Sequence, residues 1–94
     1  TLNIMASRRN LKKVISDIIG DILSECIIYA NYVPGVDEKE VSDLMLELLD
    51  IDEEFIARIS HTEPGNAKKY YRAFYADFDN RINAVIDRFN NLKK

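Results

Sequence analysis

Apolar residues recur along this chain at the three- and four-residue intervals that place side chains on one face of a helix. Leu11, Ile15, Ile18, Ile22, Cys26, Tyr29 and Val33 form the first such stripe. Their spacing predicts a helix over about 5–32, opening near Ile4 or Ser7. Val14, Ile19, Leu23, Ile27 and Ala30 widen the stripe beyond a two-stranded seam, so this helix is expected to touch more than one neighbour.

Pro34 and Gly35 then interrupt the pattern. Proline keeps Val33 out of the helical region and has no backbone N–H to donate, so a turn is predicted there. Asp37 followed three residues later by Glu40 has the layout of a capping box, with Asp in place of the usual Ser or Thr. A second helix over about 38–61 follows, carried by Val41, Leu44, Leu48, Ile51, Phe55 and Ile59. Asp50 and Asp52 bracket Ile51, and either can cap a new helix. A kink or split near 49–52 is therefore an open alternative to one continuous helix.

The second break is His61-Thr62-Glu63-Pro64-Gly65-Asn66, in which proline, glycine and two capping residues favour a turn. A third helix over about 66–92 carries Tyr71, Tyr75, Phe78, Ile82, Val85, Phe89 and Leu92 at alternating intervals of four and three, broadened by Phe74 and Ile86. Three helices of about 25 residues are each roughly 38 Å long, and short connections make consecutive helices antiparallel. The expected fold is all-α: residues 1–94 as one domain, an up-down-up three-helix bundle of long amphipathic helices.

Composition agrees, with 94 residues, 47% of them hydrophobic and 31% charged, and only three glycines and two prolines. A chain of this length encloses one core. Cys26 has no second cysteine to pair with, and its neighbours Ile22, Leu23, Ile27 and Ile28 suit a small buried hydrophobe. Asp17, Asp21 and Glu25 interrupt the longest apolar region, so no segment reaches the ~20 residues that span a bilayer. Thr1 to Asn10 does not have the charged, apolar and small-residue regions of a secretion signal. Cytoplasmic residence is the expectation, and a start at Thr1 rather than methionine fits removal of upstream residues.

Charge adds the first functional candidates. The formal net charge of −3 gives nucleic acid or an anionic membrane no overall attraction, yet the charges are segregated. Glu40, Asp43, Glu47, Asp50 and Glu54 each sit one residue before an apolar position of the second helix. The acidic stripe thus borders the buried face, where a basic partner would dock alongside it. Arg8, Arg9, Lys12 and Lys13 form a basic cluster at the start of the first helix. A simpler reading is that these groups solvate exposed faces and pair loosely within the bundle, at about 0 to 1 kcal/mol per pair.

Lys68-Lys69-Tyr70-Tyr71-Arg72-Ala73-Phe74-Tyr75 interleaves cations with aromatic rings, the material for neutralising phosphates and stacking bases. The same rings lie on or beside the inward stripe, where lysine stems simply cover apolar surface. His61, the one histidine, falls at the predicted carboxyl end of the second helix, where imidazole favours the helix dipole. Capping is the expected role for it, since no positioned nucleophile accompanies it.

Helical di-metal sites need Glu-x-x-His motifs on facing helices, and none occurs here; glycine-rich phosphate loops, Cys-x-x-Cys pairs and Ser/His/Asp arrangements are equally missing. The sequence nominates no catalytic residue, cofactor or metal.

Ser7-Arg8-Arg9-Asn10-Leu11-Lys12-Lys13, and Arg58-Ile59-Ser60-His61-Thr62-Glu63-Pro64-Gly65 followed by Lys68-Lys69-Tyr70-Tyr71, resemble a family of small, uncharacterised helical proteins from Bacteroidetes bacteria. The resemblance implies a cytoplasmic helical protein and supplies no activity or ligand.

The leading expectation is a non-enzymatic protein-interaction or structural module with an unidentified protein partner. Its contact elements would be the acidic stripe and the basic–aromatic start of the third helix. Self-association through the outer side of the first or third helix is a further expectation. The alternative is a small nucleic-acid-binding or regulatory protein. Antiparallel geometry would gather Arg8, Arg9, Lys12, Lys13, Lys68, Lys69 and Arg72 beside His61, at one end of the bundle, for that purpose.

Overall fold

Helix-forming composition and two proline–glycine breaks give three helices: α1 (Leu2–Tyr32), α2 (Glu38–Ser60) and α3 (Ala67–Lys93). The structure, a computed structural model, describes the backbone of residues 2–60 and 67–93 and the side chains of residues 9–60 and 69–92. The expected turn at His61–Asn66 and the side chains of Arg8, His61 and Lys68 lie outside the described residues.

The α1–α2 turn forms as its residues require. Gly35 takes a φ of 77°, in the left-handed region that glycine enters without penalty. Asp37 Oδ1 accepts hydrogen bonds from the backbone N–H groups of Lys39 (3.1 Å) and Glu40 (3.2 Å), satisfying two donors that the helix start leaves without a partner. The Asp37 carbonyl accepts from Val41 N–H at 3.1 Å, which begins the regular ladder of α2.

α2 runs unbroken through the 49–52 region, so the second helix is continuous. Ile51 is fully buried, and the Asp52 carboxylate accepts a hydrogen bond from the Ser16 hydroxyl of α1 at 3.2 Å. That side chain is thus turned toward a neighbouring helix.

Helices α1 and α2 pack closely, as do α2 and α3, whereas the backbones of α1 and α3 approach far less. The principal extents are 51 × 19 × 15 Å and the radius of gyration is 15.5 Å, against about 12 Å for a compact chain of this length. All six expected α2 positions are buried. On α1 the buried set is Leu11, Ile15, Ile19 and Cys26; on α3 it is Phe74, Phe78, Ile82, Val85 and Phe89. Each of these two stripes departs from expectation at one inner position, where the neighbour expected only to broaden it is the buried residue: Ile19 in place of Ile18 and Phe74 in place of Tyr75; Val33 is exposed beyond the end of α1.

Phe55 joins the layers at the α2 carboxyl half, with its ring edge-on to Phe74 (5.2 Å between centroids) and to Phe78 (5.3 Å). Such pairs add to the burial of the rings themselves. Truncating a fully buried phenylalanine typically costs about 3–5 kcal/mol, a large part of the roughly 5–15 kcal/mol available to a domain. Phe55→Ala is therefore expected to lower the urea midpoint by an amount equivalent to at least about 3 kcal/mol. A change below about 1 kcal/mol would mean that Phe55 is not the joint between α2 and α3.

Candidate functional site

Each helix has two flanks beside its buried stripe: a leading flank, one residue before each core position, and a trailing flank, one residue after. Antiparallel neighbours present the same flank to each other and parallel neighbours present opposite flanks, which follows from turning a helix end over end. In an up-down-up bundle, α2 and α3 meet on their leading flanks and α1 and α2 on their trailing flanks. The leading flank of α1 then faces the trailing flank of α3.

The α2–α3 seam carries the acidic stripe. Glu47 and Glu54 meet Arg81 of α3, which leads Ile82: Arg81 Nη2 donates to Glu47 Oε1 at 3.1 Å and Nη1 to Glu54 Oε2 at 2.5 Å. Burial alone would push the Arg81 guanidinium down, but hydrogen bonds to Glu47 and Glu54 and their negative charges hold it above its ordinary value. One turn on, Arg58 donates to Asp77 Oδ2 at 3.1 Å, and its guanidinium carbon lies 4.8 Å from the Phe55 ring centre and 5.3 Å from that of Phe74, within cation–π range. Glu54, Phe55, Arg58, Asp77, Asn80 and Arg81 line an open groove of about 240 Å³. Glu40, Asp43 and Asp50 are exposed. The stripe is thus divided, with two carboxylates holding α3 and the other three on the surface.

The basic residues gather as topology requires. Ser16 bonds Asp52 and Tyr70 bonds Arg58, which puts the starts of α1 and α3 at the same end as the finish of α2. Arg9, Lys69 and Arg72 are exposed there and Lys12 is half-buried. Most of the aromatic rings among them serve the core, the use that their place on or beside the inward stripe favours over base stacking. The Tyr70 hydroxyl donates to the Arg58 carbonyl at 2.5 Å, capping one of the last carbonyls of α2. Tyr71 is half-buried and Phe74 fully buried. Only Tyr75 presents a largely exposed ring among these four.

The α1–α3 seam differs from the other two. At its carboxyl end it is closed: the Tyr29 hydroxyl donates to the Leu92 carbonyl at 2.9 Å, and the Tyr29 and Phe89 rings meet edge to face at 5.4 Å. Above and beside this closure it is open and apolar. Val14 (49% exposed), Ile18 (37%), Ile28 (56%) and Tyr32 (80%) run along the leading flank of α1, and Tyr75 (51%) and Ile86 (36%) along the trailing flank of α3. Glu25, Ile28, Tyr29, Tyr32, Val33 and Phe89 line a groove of about 310 Å³, at the lower edge of the range for small-molecule pockets.

Sequence reasoning missed Arg81, Arg58 and this seam. The signal was present: Arg81 leads Ile82 as Glu47 leads Leu48 and Glu54 leads Phe55, and two leading flanks meet in an antiparallel pair. Among the described residues, no group of three His, Cys, Asp or Glu side chains is arranged to hold a metal ion, and no helix is long and apolar enough to cross a membrane.

Arg81→Met keeps an apolar stem and removes both ion pairs. Because each partner is a third or more exposed, solvent screens the pairs and the expected loss in unfolding free energy is about 1 kcal/mol at low salt. The gap between variant and parent should shrink when ionic strength rises to about 0.5 M. A gap that salt leaves unchanged would assign the loss to packing and not to the Glu47–Arg81–Glu54 bridge.

Compared with models of protein families, with curated proteins and with solved structures, the chain matches none.

Proposed function

We propose that this chain is a non-enzymatic protein-interaction module and that its contact surface is the wide seam between α1 and α3. One observation carries the reading: of the ten large apolar side chains that stay a third or more exposed among the described residues, six, Val14, Ile18, Ile28, Tyr32, Tyr75 and Ile86, fall on the two flanks of this seam, the others being Ile27, Val33, Leu46 and Leu49. Apolar surface gathered in one strip is characteristic of interaction sites, whereas scattered exposed apolar residues are ordinary. The acidic stripe, the first candidate from sequence, is a weaker contact surface because Arg81 already engages two of its five carboxylates.

A photoreactive residue placed at Tyr75, in the full chain expressed in its native host, is expected to yield discrete cross-linked adducts on irradiation. The same residue at Lys39, on the exposed face of α2, is expected to yield none. Equal adducts from both positions, or adducts from Lys39 alone, would contradict the seam as the contact surface.

Nucleic-acid binding at the basic end is the second reading. It is favoured by the convergence of Arg9, Lys12, Lys69 and Arg72, none of which takes part in an ion pair among the described residues. It is opposed by the net charge of −3 and by the inward use of Tyr70, Tyr71 and Phe74. Phosphate binding releases counterions and is strongest at low salt, so the absence of any mobility shift with DNA or RNA at low salt would remove this reading.

A further inference from the structure

The occupant of the α1–α3 seam can be narrowed by charge, on the reading that the seam is a contact surface. Along the leading flank of α1 from Val14 to Ile28 the residues are Val14, Ile18, Asp21, Glu25 and Ile28, at intervals of four, three, four and three. Along the trailing flank of α3 they are Tyr75, Asp79, Asn83, Ile86 and Asn90. Between Val14 and Ile28 of the one flank and Tyr75 and Asn90 of the other every charged residue is an acid; Arg72, one residue after Tyr71, is the cation at the amino end of the α3 flank. Asp17 adds a fourth carboxylate one turn before Asp21. Asp17, Asp21, Glu25 and Asp79 are all exposed and take part in no ion pair among the described residues.

The α2–α3 seam is built differently. There, carboxylates on one helix meet arginines on the other: Glu47 and Glu54 with Arg81, and Asp77 with Arg58. At the α1–α3 seam Asp21 and Glu25 face a rim on which Asp79 is the one charged residue between Tyr75 and Asn90, and the floor is apolar, so along this stretch the chain supplies no matching cation. We infer that the seam receives an amphipathic helix with an apolar stripe flanked by lysine or arginine. A groove between two parallel helices is the place a further helix fills in a four-helix bundle, and exposed positions at alternating intervals of three and four match the ridges of such a helix. The exposed apolar positions of α1 from Val14 to Tyr32 span about 27 Å, the length of about 18 helical residues.

The same charges argue against other occupants. An anionic membrane or a nucleic acid would meet an acidic rim. A second copy related by a two-fold axis near the middle of the seam would bring Asp21 and Glu25 against their own counterparts, and like charges brought together at an interface disfavour that pairing.

The test uses the full chain and a fluorescent 18-residue helical peptide of leucine and lysine only, read by anisotropy, with a leucine–glutamate peptide of the same pattern as its counterpart. The leucine–lysine peptide should bind. Asp17→Lys, Asp21→Lys and Asp79→Lys together should weaken it at least tenfold, whereas Glu38→Lys, Asp43→Lys and Asp50→Lys, an equal change in net charge on α2, should weaken it less than threefold. Val14→Gln with Tyr75→Gln should also weaken it, at unchanged charge, with folding of every variant confirmed by circular dichroism. Equal losses from the two charge reversals would reduce the effect to bulk attraction and overturn the inference. Preferential binding of the leucine–glutamate peptide, abolished by Val14→Gln with Tyr75→Gln, would retain the seam as a contact surface and overturn its basic occupant. Insensitivity of both peptides to Val14→Gln with Tyr75→Gln would overturn the seam itself. A parent chain that sediments as a dimer, dispersed by those same two substitutions, would make the occupant a second copy and overturn the basic-helix assignment.

Discussion

Burial of the α2 stripe between α1 and α3 is the constraint on which the rest depends. Val41, Leu44, Leu48, Ile51, Phe55 and Ile59 are each at most 2% exposed. Apolar burial of this kind is the dominant favourable term in folding. Once α2 is central, its leading flank must face α3 and its trailing flank must face α1. The Glu47–Arg81–Glu54 bridge and the Ser16–Asp52 hydrogen bond are consequences of that placement.

A slender bundle leaves one of its three seams short of cover. Here the neglected seam lies between α1 and α3, pinned at its carboxyl end by Tyr29 against Leu92 and Phe89. The side chains that would zip the remainder are half exposed and interrupted by Asp21, Glu25 and Asp79. Carboxylates carry too large a desolvation cost to be buried unpaired, so these residues keep the seam open to water in the isolated chain. The same acids that prevent closure also select what can cover it, which links the energetics of the fold to the proposed function.

Much of the fold was legible in the sequence because proline, glycine and periodicity act locally. Pro34, Gly35 and Asp37 mark the first turn, and the α2 stripe was read at every position. The one-residue displacement on α1 and α3 arose where apolar residues are adjacent: Ile18 beside Ile19, Phe74 beside Tyr75. Spacing alone does not choose between such neighbours; the direction of the helix across the seam does. The continuity of α2 through Asp50–Asp52 was open for a related reason, since an aspartate that can cap its own backbone can equally bond a hydroxyl on another helix. The candidate site was less legible. The acidic stripe and the basic cluster stand out by composition, but the Arg81 bridge and the open seam depend on which flanks meet, a property of topology rather than of any local segment.

Equilibrium urea unfolding of Val14→Gln, Ile28→Gln and Tyr32→Gln combined distinguishes an α1–α3 seam that is surface from one that is core. Because these side chains are about half exposed or more, the unfolding free energy should stay within about 1 kcal/mol of the parent. A loss of about 3 kcal/mol or more, the scale of a truncated core residue, would contradict that expectation by showing that the seam is closed in solution.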